Sequence, residues 1–203
     1  MVDDVLENKI KSHWENKNIV KIESDKGDVL KNSQKYVKMD GIIQGFIKPG
    51  SSVLDAGCGF GRCYPKISEI PNVTYTGVDF SSEMIKKAME FHPNAEFKVH
   101  DVCEMPFKDG EFDYVICFDV IRTIPQYEKA LKEMYRVSKT LLISIYVYDL
   151  ETRWLMPGIQ CFNESEIDGV FENMNAGSIE KNSIMETSKT NKFILYVVKK
   201  SGT

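Results

Sequence analysis

Residues 53–61 read Val-Leu-Asp-Ala-Gly-Cys-Gly-Phe-Gly, and this stretch restricts the fold more than any other in the chain. A short apolar run followed by glycines on alternate positions is a strand that ends in a sharp turn. Glycine strips the side chain from a backbone that must either adopt unusual torsions or be approached closely. A strand that feeds a glycine turn and then a helix belongs to the α/β class.

The rest of the chain supports that class. Short apolar runs suggest strands at Ser52–Ala56, Thr74–Asp79, Glu96–His100, Tyr114–Phe118 and Leu141–Val147, with helical patterns between them. Ser81-Ser82-Glu83 opens a helix with hydroxyl caps and an early acid. Ile124-Pro125 opens the next, with Tyr127, Leu131, Met134 and Val137 along one face. Asn163-Glu164-Ser165-Glu166 has the outline of a capping box, and the helix it starts should run to about Met174. Ile179–Thr187 and Phe193–Lys199 read as an antiparallel hairpin across the polar Ser188-Lys189-Thr190-Asn191. The expected architecture is a doubly wound, seven-stranded mixed sheet, mostly parallel, with helices on both faces. The first 49 residues form a helical cap in two amphipathic stretches, Val5–Trp14 and Asp28–Ile47, separated by Asp25-Lys26-Gly27.

Composition enters as a set of exclusions. A chain of 203 residues with 42% hydrophobic and 28% charged residues suits one globular domain, read here as 1–203. Its parts are the cap 1–49, a core at 50–147 and a C-terminal segment at 148–203. The longest apolar stretch, Leu141–Val147, is too short to cross a bilayer, and Met1-Val2-Asp3-Asp4 lacks the basic and apolar regions of an export signal. A cytoplasmic protein without membrane contact is expected. Five scattered cysteines and three isolated histidines show no metal-ligand spacing, so no metal is expected. The net charge of −4 is evenly spread, which disfavours nucleic acid as a partner.

The glycine spacing is G-x-G-x-G, not the G-x-G-x-x-G of a dinucleotide site, and Asp55 in the turn would repel a pyrophosphate and attract a cationic amine. On these residues the chain resembles the class I S-adenosylmethionine (SAM) dependent methyltransferases of the methyltransferase type 11, or UbiE-like, group. Three further segments carry the resemblance: Gly77-Val78-Asp79-Phe80, Val99-His100-Asp101-Val102, and Met105 to Val115. The resemblance covers roughly residues 50–147. It implies SAM as cofactor and S-adenosylhomocysteine as product. It assigns both ribose hydroxyls to Asp79 and the adenine amino group to Asp101, with the ring against Val102. Asp55, Gly57, Cys58, Gly59, Gly61, Arg62, Phe80, Met84 and Phe118 complete the implied cofactor site. Asp79 has a second reading, as the cap of the helix after it. Arg62 either pairs with the SAM carboxylate or is a solvated helix residue.

The departures from the family are informative. Where relatives carry an acid-His or His-His pair after strand four, this chain has Ile121-Arg122-Thr123-Ile124, so a histidine base is missing there. The Pro-Gly-Gly turn before strand five is shortened to Val137-Ser138-Lys139-Thr140. Cys117-Phe118-Asp119-Val120 replaces the Asn/Asp-Pro-Pro-Tyr/Phe of enzymes acting on planar amines, and Cys117 reads as a packed thiol. His13-Trp14 could cover the methionine end of the cofactor or pack in the core. Tyr36, Tyr146, Tyr148, Asp149 and Trp154 either line an acceptor pocket or belong to the core. No catalytic residue is assigned. The leading expectation is a small-molecule methyltransferase acting at O, N or C. The alternatives are a tRNA or protein methyltransferase and a SAM-binding protein without catalysis.

Overall fold

The computed structural model describes residues 2–30, 33–148, 160–186 and 192–201. Its seven strands form one mixed sheet, and the chain divides into two compact units, Met1–Val102 and Cys103–Thr203.

The first unit opens with three helices, α1 (Val2–Trp14), α2 (Lys17–Leu30) and α3 (Gln34–Phe46). The expected break at 25–27 is absent, because α2 runs straight through it. Gly27 costs a helix about 1 kcal/mol relative to alanine. Burial of Val20 and Ser24, one turn apart on the same face, offsets that cost. The cap is therefore three helices, not two. Ser33 begins α3 by accepting a hydrogen bond from the Tyr36 N–H.

Strands β1 (Ser52–Ala56), β2 (Thr74–Asp79) and β3 (Glu96–Val99) follow, parallel, in the order β3-β2-β1. Val53, Leu54 and Ala56 are fully buried, as suits a parallel strand covered on both faces. Helices α4 (Tyr64–Ser68) and α5 (Ser82–Phe91) pack on β2, and α5 also on β3. Met84, Ile85 and Ala88 make the buried stripe of α5.

The second unit contains β4 (Phe112–Cys117), a 3-10 turn at Ile121–Thr123, α6 (Tyr127–Val137), β5 (Ser138–Val147), α7 (Glu164–Asn173), β6 (Ser178–Glu186) and β7 (Lys192–Lys199). The strand order is β4-β5-β7-β6, with β4 and β5 parallel and the last two joins antiparallel. Ala130, Leu131, Met134 and Val137 of α6 are fully buried. Strand β5 starts at the residue that ends α6, so the shortened turn is no turn at all: Ser138 serves as the helix C-cap and the first strand residue. The capping box at Asn163 forms as expected, with Asn163 and Glu166 bonded reciprocally, and Met174 is the C-cap. The hairpin loop at 188–191 lies outside the described residues. Among the described residues no helix is long and apolar enough to cross a membrane.

Candidate active site

Strand β1 leaves the sheet through a turn stitched to β2. The backbone N–H groups of Gly57 and Cys58 both donate to the carbonyl of Val78, at 2.8 and 2.9 Å. Gly57, Gly59 and Gly61 all have positive φ, at 77°, 55° and 81°. That conformation is closed to most side chains, which accounts for the alternating glycines. Gly61 and Gly59 differ in what surrounds them. A Cβ on Gly61 would lie 2.7 Å from His92 Cδ2 and 2.8 Å from Phe97 Cζ, so that glycine is required by packing as well. A Cβ on Gly59 would meet nothing within 4 Å. The backbone at Gly59 faces open space, as a loop that holds a ligand must.

Asp79 ends β2 and grips the loop. Its Oδ2 accepts from the Gly59 N–H at 3.0 Å, and its Oδ1 from the Ser81 N–H at 2.9 Å. Ser81, not Asp79, caps α5, by accepting from the Met84 N–H at 3.1 Å. The capping reading of Asp79 is therefore replaced. Burial of the carboxyl raises it to about 6, against the pull of the Ser81 and Gly59 N–H groups, and the nearby Glu15 adds to the rise. Each oxygen retains acceptor capacity for a hydroxyl.

Asp55 lies on β1, paired in register with Gly77, and not inside the turn as its sequence position implies. The ladder to β2 continues through Ala56, which moves the turn one residue further along. Asp55 is only 2% exposed and accepts from the Tyr75 hydroxyl at 2.9 Å. Burial raises its carboxyl to about 6. It is a charge beneath the loop.

Arg62 is not a solvated helix residue. Its guanidinium lies 4.4 Å over the Tyr36 ring, donates to Cys63 Sγ at 3.3 Å and reaches Asp40 Oδ1 at 3.5 Å. It thus ties α3 to the glycine loop. Cys58 packs with Ile85, Ala88 and Phe97, and burial pushes its thiol well up. Met84 and Val102 are buried, and Phe80 is half-buried. Asp101 follows β3, partly exposed, with Lys11 Nζ 3.4 Å from Oδ2. The His100 N–H donates to the Asp79 carbonyl, extending the ladder.

The end of α1 meets these same loops. The Ser81 hydroxyl donates to the Trp14 carbonyl at 2.7 Å, and Glu15 accepts from the Ser82 N–H and hydroxyl at 2.9 and 3.1 Å. The His13 and Trp14 rings meet edge to face, 5.1 Å apart. Lys11, Glu15, Asp40 and Tyr75 gave no signal in the sequence, since each acts through a partner many residues away.

In the second unit, Phe118 is 8% exposed after β4, and Cys117 is fully buried in the strand, as a packed thiol. Tyr146 and Tyr148 stand with ring centroids 4.7 Å apart. Tyr36, grouped with them in the sequence, belongs to the first unit under Arg62. Asp149 and Trp154 lie outside the described residues. Among the described residues no three histidine, cysteine or acidic side chains could hold a metal ion.

A family model described as a methyltransferase domain matches residues 53–140. Over residues 53–140 the chain is similar to the methyltransferase domain family. Its glycine loop, Asp79 and Asp101 all lie within the matched segment. A demethylmenaquinone methyltransferase of Lysinibacillus sphaericus is 34% identical over 126 residues, which cover 53% of this chain and 54% of the relative. The chain thus spans about half the length of the curated relatives it matches. Among solved structures, the protein seen in complex with the Haloferax volcanii Trm112 methyltransferase activator aligns with a TM-score of 0.76 at 15% identity, over 96% of this chain and 98% of that one. Phosphoethanolamine N-methyltransferase 2 of Haemonchus contortus aligns with a TM-score of 0.69 at 18% identity, over 85% of this chain and 59% of that one. At these identities the structural likeness concerns the fold.

Proposed function

We propose that this protein binds SAM through the glycine loop, Asp79 and Asp101, and transfers its methyl group to a small-molecule acceptor in the cytoplasm, with both units working as one domain. The observation that carries the reading is the bridge from Asp79 to the Gly59 N–H, beside open space at Gly59. It puts an ionisable acceptor and a bare backbone at the carboxyl ends of β2 and β1, where open α/β sheets bind ligands.

When bound, SAM supplies an activated methyl on a sulfonium, whose loss leaves a neutral thioether. The protein has only to align and exclude water. Asp79 offers acceptors for vicinal hydroxyls, Asp101 an acceptor for an amino group, and the buried charge of Asp55 favours a cation over the loop. The sulfonium needs no metal to make it a leaving group, and an acceptor that reaches the site deprotonated needs no base. The even charge spread and the match to demethylmenaquinone methyltransferases support a small acceptor over tRNA or protein. Calorimetric titration with SAM and with S-adenosylhomocysteine tests the reading. Micromolar-scale binding of both is expected, and heat with NAD alone would overturn it.

A further inference from the structure

The segment after β4 departs from the resembled family by placing Arg122 where an acid-His pair is usual, and the proposed function makes no use of it. Asp119 turns the chain out of β4 with φ of 66°, a conformation rare outside glycine and mostly taken by Asp and Asn. Its N–H donates to the buried Ser144 hydroxyl on β5 at 3.0 Å, which fixes the turn to the sheet. The 3-10 turn then presents Arg122 beside the end of β5. There Arg122 Nη1 donates to the Tyr148 hydroxyl at 3.3 Å, and Tyr148 stacks near Tyr146. The backbone on either side is held: the Gln160 N–H donates to the Arg122 carbonyl at 2.8 Å, and Gln160 Nε2 to the Ile124 carbonyl.

Among the described residues no acid pairs with this group. Elsewhere the described arginines meet acids: Arg62 reaches Asp40, and Arg136 pairs with Glu133 and Asp109. Among the described residues the guanidinium of Arg122 has the neutral Tyr148 hydroxyl as its polar partner and no carboxylate. It is half-buried, so water satisfies it only in part. A guanidinium offers a rigid fork of donors suited to a planar or tetrahedral anion. The buried Tyr148 ring pairs with the partly exposed Tyr146 ring, an aromatic pair next to the guanidinium.

We infer that Arg122, oriented by Tyr148 beside the Tyr146–Tyr148 pair, is the anion-recognising residue of the acceptor site, and that the acceptor is a flat ring bearing a carboxylate or phosphate. The inference rests on the proposed methyl transfer for the meaning of the site, but not for its charge preference. Strained Asp119 and the ladder to β5 serve to hold the arginine at the carboxyl ends of β4 and β5, where ligands bind in this fold class.

The test uses matched probes, benzoate against its neutral isostere benzamide, with phenyl phosphate as the second anion. Each is titrated by NMR into the whole protein, with and without S-adenosylhomocysteine. Binding of benzoate at least about tenfold tighter than benzamide is expected, as an arginine–carboxylate pair implies. Arg122→Gln should remove that preference, and Arg122→Lys should restore part of it. Tyr148→Phe should weaken benzoate more than benzamide. Unchanged affinity of Arg122→Gln for S-adenosylhomocysteine certifies its fold. Equal binding of benzoate and benzamide with no binding of phenyl phosphate, binding of none of the three probes, or an anion preference that survives in Arg122→Gln would each overturn the inference. Phenyl phosphate in place of benzoate would name phosphate as the anion. Failure of the wild-type protein to bind S-adenosylhomocysteine would refute the proposed function instead, and the cofactor-free titration would still decide the role of Arg122.

Discussion

The Gly59 N–H donates to Asp79 Oδ2 at 3.0 Å across twenty residues of sequence, so one carboxylate both shapes the glycine loop and faces its open side. In the proposed reading, loop geometry and ligand recognition share a group. Changes at Asp79 should therefore be felt in both.

Asp79→Ala should weaken SAM binding by a few kcal/mol, since hydrogen bonds to a charged group are worth about 1.5–3 kcal/mol each. It also leaves the Gly59 and Ser81 N–H groups without their acceptor, so the thermal midpoint should fall. Calorimetry and thermal melts read the two effects apart. If the folded fraction of Asp79→Ala binds SAM as tightly as the wild type, the assignment of the ribose to this residue is wrong.

The pH dependence has a definite sign. Asp55 and Asp79 ionise at about 6 in the folded protein, against an ordinary 3.8. Folding thus takes up protons between those values, and the stability each group contributes is full below 3.8 and lost as pH rises through 6. Relative to Asp55→Asn, the wild type should gain in thermal midpoint when pH drops from about 7.5 to about 5. The opposite trend would show that Asp55 is not the buried, raised carboxyl seen here. SAM affinity should decline over the same range, as Asp79 takes up a proton and loses its charge.

Two glycines separate packing from ligand approach. Gly61→Ala should destabilise the protein markedly, because its Cβ would clash with His92 and Phe97 and φ is 81°. Gly59→Ala meets open space, so its folding cost should be that of a left-handed alanine alone, about 1–2 kcal/mol. Its SAM affinity should drop out of proportion to that cost. Equal affinity for Gly59→Ala and wild type would mean that nothing approaches the loop at Gly59. Gly57→Val should both lose SAM and weaken the fold, since a β-branched residue at φ of 77° is strained.

Glu15 joins α1 to the start of α5 through Ser82 and raises the Asp79 carboxyl. Glu15→Gln should lower the Asp79 titration midpoint toward the ordinary carboxylate value and speed amide exchange in residues 8–15. A carboxylate at a helix N-terminus is worth about 0.3–1 kcal/mol, so the thermal shift should be small. An unmoved Asp79 titration, followed by NMR, would show that Glu15 does not sense the cofactor loop.

How much of this was legible in sequence depends on how local each feature is. Strands β1 and β2, the Ser81 cap, the Asn163 capping box and the alternating glycines follow from torsional preference and short-range pattern, which a one-dimensional reading contains. The cofactor roles expected of Asp55, Asp79 and Asp101 came instead from resemblance to the methyltransferases, carried by short motifs at the strand ends. Packing decided the rest. Helix α2 crosses Asp25-Lys26-Gly27 because burial of Val20 and Ser24 outweighs one unfavourable glycine. Tyr75 finds Asp55, Lys11 finds Asp101 and Tyr36 lies under Arg62 only once the chain has folded. The Asp119 torsion and the Arg122 contact with the Tyr148 hydroxyl are likewise tertiary facts. Sequence determined where the backbone must turn and which residue types stand at the strand ends. Tertiary structure decided which of those charges are paired, buried or left to a ligand, because desolvation and long-range contact are properties of the folded chain alone.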